Sequence, residues 1–417
     1  MGKVSNRDNE AVATDSICLP GSTLPASPPI SQPATPCSPC RGTIQSPIWP
    51  VPRVFDAAKR YRFAMTYRIA VWGPGNVGAP AIRAIVAHPA LELAGVIVHS
   101  PEKEGQDAGL LAGLERVGVV ATRDAEAVLN TQPDALFYGV NSDFRPAESQ
   151  QECCDALRRG INVVCCGMYG LLHPASADPA LAKPFAEACQ QGASSFLTSG
   201  IDPGFAIDLL PLVLSGVCEN FREIRIVENF NYAHYDQPEA VRNLVGMGRS
   251  MERTPPMLLP FAMEGVWGGA LRLLADALDL EIDEIRCKVE RHALEKDVTN
   301  SMGTFDAGTQ GAFRFEIQGI VAGEARLVVE HITRISDETA PQWPLPAKQG
   351  HHQVRISGSP NLVVTIECED ANGDHAGGGN SAAACRLVGA LPFVCDAAPG
   401  LVAATDLPLI AGRGLMR

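Results

Sequence analysis

Residues 67–100 constrain the fold of this chain more than any other stretch. They begin with a short apolar run at 69–72, which ends at the loop Gly-Pro-Gly-Asn-Val-Gly, residues 73–78. Apolar residues then recur at helical spacing, and a second apolar run follows at 93–98. This order of strand, glycine loop, helix and strand predicts a βαβ unit of the length expected for a dinucleotide site.

Each glycine of the loop has a physical task in such a unit. Gly73 permits the tight turn after the strand, Gly75 lets the backbone approach a pyrophosphate, and Gly78 allows the helix to pack closely on the strand. Asn76 and Val77 lie where the helix opens, and its free N–H groups would face the phosphates. A turn that binds nothing is the alternative, but the position between a strand and an amphipathic helix favours the cofactor.

The end of the second predicted strand bears on which nucleotide binds. NAD sites usually place Asp or Glu there to bind the ribose 2′-hydroxyl. Here that place holds His99 and Ser100, with Lys103 close behind. A hydroxyl and a cation suit a 2′-phosphate, so Ser100 and Lys103 predict NADP as the cofactor. Glu102 keeps NAD as the alternative, and a solvated loop lysine is the plainer interpretation of Lys103.

Composition excludes several classes of function. The chain has 417 residues, 46% of them hydrophobic and 19% charged, which is typical of a globular protein with two or three domains. The net charge of -13 argues against a nucleic-acid partner. No apolar segment reaches the roughly 20 residues that a membrane span needs. We therefore expect no membrane association and a small-molecule substrate.

The thirteen cysteines bear on the compartment. Adjacent pairs at 153–154 and 165–166 fall inside a predicted helix and a predicted strand, where reduced, buried thiols are ordinary. A cytoplasmic enzyme is the simplest interpretation. Cys37 and Cys40 have zinc-like spacing, but no second Cys or His pair lies near them, so we expect no metal site.

Residues 1–64 are rich in Pro, Ser and Thr and show no sustained apolar period, so we expect them to be disordered. Met65 precedes the first strand by two residues, and a natural start at Met65 is the alternative. A targeting peptide is disfavoured because the stretch lacks an apolar core and carries acidic residues.

The segment up to residue 200 continues the strand and helix alternation, which predicts a mostly parallel sheet. The loops at the carboxyl ends of such strands line the ligand crevice, which makes Asn141 and Gly167 cofactor candidates. Pro203 lies in the turn Ser-Gly-Ile-Asp-Pro-Gly-Phe, a candidate for holding the nicotinamide end, and Asp202 before it is expected to cap a helix. The predicted strands are 135–140, 162–166 and 195–198, and the predicted helices are 147–159 and 179–191.

After residue 207 the pattern becomes more antiparallel in character. A turn at Ala322-Gly323 joins two predicted strands as a hairpin. The fold class is therefore an α/β Rossmann domain with a mostly parallel sheet plus an α+β mixed-sheet domain. The strands are predicted at 224–232, 287–293, 309–319, 324–332 and 361–368, and the helices at 268–278 and 381–389. The expected organisation is a Rossmann domain at 65–200, a substrate and dimerisation domain at 201–378, and a segment at 379–417 that packs back on the first domain.

Four motifs together resemble a known family. They are the GPGNVG loop, the NVVCCG strand, the SGIDPGF turn and the closing VGALPFVCDAAPGLVAATDLP. They are similar to proteins with a dihydrodipicolinate-reductase-like N-terminal domain, in the branch of 2,4-diaminopentanoate dehydrogenase and the native amine dehydrogenases. The resemblance covers nearly all of residues 67–408. It implies an NAD(P)-dependent oxidoreductase, a homodimer through the mixed-sheet domain, and hydride transfer to a C=N or C=O carbon.

One catalytic position departs from the family. In amine dehydrogenases of this branch an acidic residue just after the NVV-type strand handles the ammonia or imine proton, whereas residues 166–174 contain no carboxylate. Tyr169 is our first candidate for the proton donor, because a phenol on a Gly-flanked loop would face the nicotinamide. An aromatic pocket wall is the alternative. His234 and Asp236 form a second candidate pair in a polar and aromatic segment, although surface loops also collect such residues.

The leading hypothesis is an amine dehydrogenase-like oxidoreductase acting on a small, largely apolar substrate. Phe144, Leu171 and Phe205 near the expected pocket suggest the uncharged portion, although a buried core explains them as well. The missing carboxylate keeps two alternatives open. One is a ketone or imine reductase that does not use ammonia, and the other is a non-catalytic sensor that binds NADP.

Overall fold

The structure is a computed structural model that describes residues 65–235 and 237–416. The predicted disorder of residues 1–64 lies outside the described residues, as do the Cys37–Cys40 pair and Asp236. Within the described ranges no helix combines the length and the apolar character that crossing a membrane requires.

The strands carry the two halves of the fold. In chain order they are β1 (Tyr67–Trp72), β2 (Leu91–Ile97), β3 (Ala121–Thr122), β4 (Ala135–Tyr138), β5 (Asn162–Cys165), β6 (Ser195–Thr198), β7 (Asn220–Asn231), β8 (Glu284–Ala293), β9 (Val298–Asn300), β10 (Gly303–Phe305), β11 (Gln310–Val321), β12 (Glu324–Arg334), β13 (Gly350–Ser359), β14 (Leu362–Ile366) and β15 (Gly400–Val402).

The helices connect and cover these strands. In chain order they are α1 (Gly78–Ala87), α2 (Ala108–Leu111), α3 (Ala125–Leu129), α4 (Pro146–Arg158), α5 (Pro179–Gly192), α6 (Leu209–Ser215), α7 (Pro260–Met263), α8 (Gly269–Ala277) and α9 (His375–Cys395). Short 3₁₀ and π turns lie between several of them.

The first sheet of the described chain has the order β15-β6-β5-β4-β1-β2-β3, and all its neighbouring strands are parallel. Its central strands are buried on both faces, as parallel sheets require. On one face Ile82 of α1 and Leu387 of α9 pack against Ile69 and Val71 of β1. Helices α4 and α5 cover the other face. The carboxyl ends of the strands therefore open toward the second half of the chain.

Within the described residues, the second sheet is mixed, with the order β14-β13-β7-β12-β11-β8. Strands β7 and β12 are parallel, and the other pairs are antiparallel. Ala322 and Gly323 have positive φ angles of 51° and 79° and join β11 to β12, which confirms the predicted hairpin. Helix α8 covers one face, where its Leu271 packs with Ile226 and Phe315. The parallel sheet and the mixed sheet confirm the predicted fold class.

Several elements differ from the sequence-based prediction, and two of these differences bear on the site. Strand β13 was not predicted, because its run Gly-His-His-Gln-Val-Arg is too polar to stand out, yet it lies between β7 and β14. The helix predicted at 381–389 extends from His375 to Cys395 and runs through Pro392. Gly389 and Pro392 are locally unfavourable, but the burial of this helix against the first sheet outweighs that preference. The cysteine pairs at 153–154 and 165–166 are free thiols, as predicted.

Candidate functional site

A cavity of about 410 Å³ lies where the carboxyl ends of the parallel strands meet the mixed sheet. Its walls come from the glycine loop after β1, the loops after β4, β5 and β6, the ends of β7 and β13, and the beginning of α9. Crevices at the carboxyl ends of parallel strands are the usual ligand sites of such folds. The cavity is therefore the candidate active site.

The glycine loop has the geometry that a dinucleotide site needs. Gly73 has a φ of +84°, which favours glycine. A Cβ on Gly78 would lie 2.1 Å from the Gly73 carbonyl oxygen, so only glycine permits this approach. A Cβ on Gly75 would meet no atom within 4 Å, and Gly75 lines the cavity with Asn76 and Val77. The open space over Gly75 fits a pyrophosphate.

A network of polar side chains surrounds the end of β2. The Ser100 hydroxyl donates to the carboxylate of Glu102. The Lys103 Nζ donates to the Pro74 carbonyl oxygen at 2.9 Å, which brings its ammonium group over the glycine loop. Ser100 and Lys103, the residues predicted to distinguish NADP from NAD, are thus near the glycine loop, and each already has a protein partner.

Arg145 joins this region, although the sequence analysis missed it. Its Nη1 lies 2.8 Å from Nε2 of His99, and its Nη2 pairs with Glu152 at 2.8 Å. No local signal could have found it, because Arg145 stands just before α4 while His99 follows β2. Packing of the loops after β2 and β4 therefore places Arg145, a second cation besides Lys103, where the adenosine end of the cofactor is predicted to bind.

The loops after β4 and β5 approach each other closely at the cavity. Asn141 and Gly167 both line it, and a Cβ on Gly167 would lie 2.3 Å from Oγ of Ser142. Burial raises the pKa of the neighbouring Asp143. Pro203 is buried and does not line the cavity, whereas Asp202 before it does. In the predicted turn, Asp202 therefore faces the cavity and Pro203 does not.

The structure separates the predicted proton donors. Tyr169 lines the cavity, but its hydroxyl donates to the Cys166 carbonyl oxygen at 2.7 Å, and burial raises its pKa well above the usual range. His234 is exposed and lies in a different hollow with Asn300 and Gln349. Asp236 is outside the described residues. Tyr169 and His234 are therefore not brought together.

Asp202 does not cap a helix, contrary to the prediction. The cap of α6 is Asp208, whose side chain accepts from the Leu209 amide. The turn continues past Asp202 through Gly204, whose φ of 141° cannot begin a helix, so α6 starts only at Leu209. The Asp202 carboxylate instead accepts from Nε1 of Trp267 at 2.7 Å, and its side chain is only 1% exposed.

Asp202 belongs to a buried cluster that sequence reasoning missed. Its other members are Glu228, His331 and His352, which lie side by side on neighbouring strands because the register pairs Glu228 with both histidines. The His331 Nε2 lies 3.4 Å from Oδ1 of Asp202, and its Nδ1 lies 3.4 Å from Oε1 of Glu228. The His352 Nε2 lies 3.4 Å from Oε2 of Glu228.

A sequence signal for this cluster existed. Glu228 is in phase with the buried Ile224 and Ile226 of β7, and His331 is in phase with the buried Val329 of β12. Successive residues of a strand alternate between faces, so both polar residues occupy core-facing positions. A polar side chain at such a position has either a partner or a function. The sequence did not reveal that β7 lies between β12 and β13, which is the pairing that brings both histidines to Glu228.

The cluster is strongly polarised. Burial lowers the pKa of His331, but Asp202 and Glu228 outweigh it and raise that pKa to about 10. Burial raises the pKa of Glu228, but His331 and His352 outweigh it and hold that pKa well below its usual range. At neutral pH His331 is therefore an imidazolium and Glu228 a carboxylate.

Several polar atoms of the cluster make no hydrogen bond within the described residues. They are Oδ2 of Asp202 and Nε2 of both histidines, and Nε2 of His352 lies 4.0 Å from Oδ2 of Asp202. Asp202, Glu228 and His352 each contribute one possible ligand atom, and these three atoms lie within 4.8 Å of one another. Such acceptors can bind an ammonium group or ligate a metal ion.

The residues expected to form an apolar pocket lie elsewhere. Phe144 and Phe205 are 47% and 39% exposed, and Leu171 is buried in the core beside α5. None of the three lines the described cavity. Its aromatic lining is instead Phe230, Tyr232, Tyr235 and Tyr169, so the walls mix ring faces with polar groups.

Two family models match the chain. Residues 67–168 match the N-terminus of dihydrodipicolinate reductase. Residues 205–416 match the C-terminal domain of 2,4-diaminopentanoate dehydrogenase. Both matches agree with the resemblance drawn from the motifs.

Two relatives match over long stretches. An amine dehydrogenase of Streptomyces virginiae is 49% identical over 343 residues, which are 81% of this chain and 95% of that protein. A 2,4-diaminopentanoate dehydrogenase of Acetoanaerobium sticklandii is 26% identical over 61% of this chain and 68% of its own length.

Solved structures share the fold. The amine dehydrogenase from Mycobacterium smegmatis superposes with a TM-score of 0.65 at 20% identity, over 84% of this chain and 99% of its own. A putative myo-inositol dehydrogenase from Sinorhizobium meliloti gives a TM-score of 0.51 at 15% identity, over 84% of this chain and 93% of its own. At these identities the likeness describes the architecture.

Proposed function

Since this chain belongs to the family of 2,4-diaminopentanoate dehydrogenase and the amine dehydrogenases, and is an NAD(P)-dependent oxidoreductase, we propose that it interconverts a primary amine and the corresponding carbonyl compound. When bound, the nicotinamide nucleotide supplies the hydride acceptor or donor for this chemistry. Gly73, Gly75 and Gly78 would hold its pyrophosphate, with Asn76 and Val77 where the helix opens.

The observation that carries the proposal is the pair of buried carboxylates at the cavity. The loop after β5 lacks the acidic residue that the family resemblance led us to expect, but Glu228 and Asp202 bring carboxylates from other elements. Oxidation of an amine passes through a cationic iminium, which buried carboxylates stabilise. Reduction of a ketone without ammonia builds negative charge on oxygen, which the same carboxylates would oppose. The cluster therefore favours nitrogen chemistry.

Some side chains of the cluster stabilise the cationic substrate, and others take up its proton. Asp202 and Glu228 bind the substrate ammonium group and then the iminium through hydrogen bonds. Nε2 of His352 lies 3.4 Å from Oε2 of Glu228, and this Glu228–His352 pair takes up the proton that must leave the ammonium before hydride departs from carbon. Water then adds to the iminium carbon, and the C–N bond breaks to release ammonia and the carbonyl product. Tyr169 serves as a wall, because its proton is held by Cys166.

NADP is the proposed nucleotide. The Lys103 ammonium over the glycine loop and the Arg145 guanidinium beside His99 supply positive charge near the end of β2. A 2′-phosphate is stabilised by such cations. Glu102 is the group that would favour NAD instead, because its exposed carboxylate can accept from a ribose hydroxyl. The proposed assembly is a homodimer, which light scattering of the purified protein tests.

Turnover of the purified protein tests the activity. NADP⁺ reduction is followed with a panel of primary amines, and NADPH oxidation with the matching ketones with and without ammonium. Ketone reduction that requires ammonium supports the proposal. Ketone reduction without ammonium would establish the reductase instead. Tight NADPH binding with no turnover of any compound would favour the sensor.

A further inference from the structure

His331 does not line the cavity, yet it contacts two residues that do. Its side chain is 4% exposed, and each ring nitrogen lies 3.4 Å from a carboxylate oxygen, one of Asp202 and one of Glu228. Phe315 stacks on the imidazole with ring centroids 4.5 Å apart, and Trp267 meets it edge-on at 4.7 Å. The ring is therefore held in one plane with each nitrogen near a carboxylate, and its Nε2 makes no hydrogen bond within the described residues.

The charges around this ring define the electrostatics of the cavity wall. The cluster itself consists of Asp202 after β6, Glu228 in β7, His331 in β12 and His352 in β13. The polar and titratable groups that face it from the packed elements are Asp208 before α6, Tyr232 and Tyr235 after β7, and Trp267 before α8. Two carboxylates and one imidazolium leave one net negative charge. Without the imidazolium, two like charges would share a poorly solvated site, and one of them would take up a proton.

We propose that His331 is the positioning residue of this site: held between Asp202 and Glu228, it aims both carboxylates into the cavity and places positive charge behind them, so that the wall accepts a monocation and rejects a divalent metal ion. The identification of that monocation as the substrate's ammonium or iminium group rests on the proposed function. The placement of charge by His331 is independent of the proposed function.

A metal ion is the competing occupant. Ligand atoms of Asp202, Glu228 and His352 are close enough together to coordinate one. However, a divalent ion among them would be repelled by the imidazolium that lies 3.4 Å from both carboxylates. An ammonium group places one charge against the one net negative charge, and its N–H donors match the carboxylate oxygens of Asp202 and Glu228.

The first experiment observes His331 directly by NMR of the histidine ring Cε1–H groups, with the His331 signal assigned from the H331Q variant. We expect the His331 signal of the wild-type protein to stay at its protonated position from about pH 6 to about pH 8.5. In the E228Q variant, which retains His331, the signal should begin to titrate within that range. A His331 that titrates near its ordinary value in the wild-type protein would overturn the inference. This measurement needs no turnover, and contacts of the His331 ring with Phe315 and Trp267 assign its signal where H331Q does not fold.

The second experiment compares H331Q with H292Q, a matched control on β8 outside the described cavity lining. Mn²⁺ binding is followed by electron paramagnetic resonance. We expect no Mn²⁺ binding at the cluster of the wild-type protein or H292Q over the concentrations tested, and an apparent Kd for H331Q at least about tenfold below the highest of them, because the repelling cation is gone. Mn²⁺ binding to the wild-type protein that E228Q abolishes would overturn the inference.

The third readout is the pH dependence of kcat/KM for an amine substrate. In H331Q the acidic limb should move upward by about one pH unit or more, since the two carboxylates then share a proton that the substrate must displace. H292Q should keep the wild-type profile. An H331Q profile that is uniformly lower but unshifted would reduce His331 to a packing role. If the protein oxidises no amine at all, the proposed function fails, while the NMR and Mn²⁺ results still decide the role of His331.

Discussion

Glu228 concentrates the chemistry of the site in one side chain. It accepts from Tyr232 at 3.3 Å, lies 3.4 Å from each of two histidines, and still reaches the cavity. A buried carboxylate with this many partners is held in one rotamer, so it is preorganised for a cationic group. The Glu228 side chain therefore makes the cavity favour a positively charged group.

The E228Q variant tests this role. The amide keeps the shape of the side chain but removes the negative charge, so we expect kcat/KM for amines to fall about 100-fold, the range of a charge-assisted hydrogen bond. NADPH binding should be unchanged. The control is E324Q, at an exposed carboxylate in the hairpin between β11 and β12. Amine turnover that survives in E228Q would remove this carboxylate from the mechanism.

His331 also predicts a dependence of stability on pH. Its folded-state pKa of about 10 lies above its ordinary value of 6.5. The imidazolium's contribution to stability is therefore fully present below pH 6.5 and is lost as the pH rises through about 10. The difference in the free energy of unfolding between the wild-type protein and H331Q should shrink over that interval. Urea titrations at several pH values measure it, and a difference that does not vary with pH would contradict the assignment.

At the element scale, the site depends on register. Strands β12, β7 and β13 place His331, Glu228 and His352 at one level, and β11 adds Phe315 beside His331. A shift of one residue in any of these pairings would turn that side chain to the opposite face of the sheet. The cluster is therefore a property of the sheet and of none of its strands alone.

The turn between β1 and α1 allows a matched pair of glycine variants. In G78A the new methyl group would meet the Gly73 carbonyl oxygen, so we expect a loss of about 1–3 kcal/mol in stability. In G75A it meets open space, so stability should be nearly unchanged while the NADPH Kd rises because the pyrophosphate's approach is blocked. Unfolding titrations and NADPH fluorescence separate the two. Equal NADPH affinity in G75A and the wild-type protein would argue against this loop as the cradle.

The contact between the β2 and β4 loops predicts how cofactor choice responds to mutation. In R145A the guanidinium beside His99 is removed, so the KM for NADP⁺ should rise about tenfold, while that for NAD⁺ changes little. R158A is the control, because Arg158 pairs with Asp155 on the exposed side of the same helix. A parallel rise for both nucleotides would show that Arg145 supports the loop without reading the phosphate.

At the scale of the whole molecule, the two ends of the described chain complete one sheet. Strand β15 pairs with β6, and α9 packs against α1 and along β5. The same helix contributes its first turns to the cavity. The C-terminal segment thus both packs on the parallel sheet and forms part of the cavity wall.

A cavity-forming substitution in α9 tests this support. Leu387 is fully buried in the core shared with α1 and β1, so L387A should lower the free energy of unfolding by about 3 kcal/mol. V363A, at a 64% exposed position in β14, should change it by less than about 0.5 kcal/mol. Denaturant unfolding measures both. Similar losses in the two variants would mean that α9 contributes little to the core.

Features that depend on neighbouring residues follow from the amino-acid sequence alone. Period-two and period-3.6 apolar patterns indicated most strands and helices, and the glycines at 73, 75 and 78 indicated the turn of a dinucleotide site, because each arises from backbone geometry over a few residues. The motifs likewise identified the family, which the comparisons confirmed.

The chemistry of the cavity depends on contacts that form only in the folded chain. Asp202, Glu228, His331 and His352 are far apart in the chain and meet through strand register and domain packing, which no local pattern encodes. For the same reason Arg145 reached His99, and His234 did not reach Tyr169. Local geometry follows from adjacent residues, whereas the position of a charge in a buried site follows from long-range contacts that the whole fold must form first.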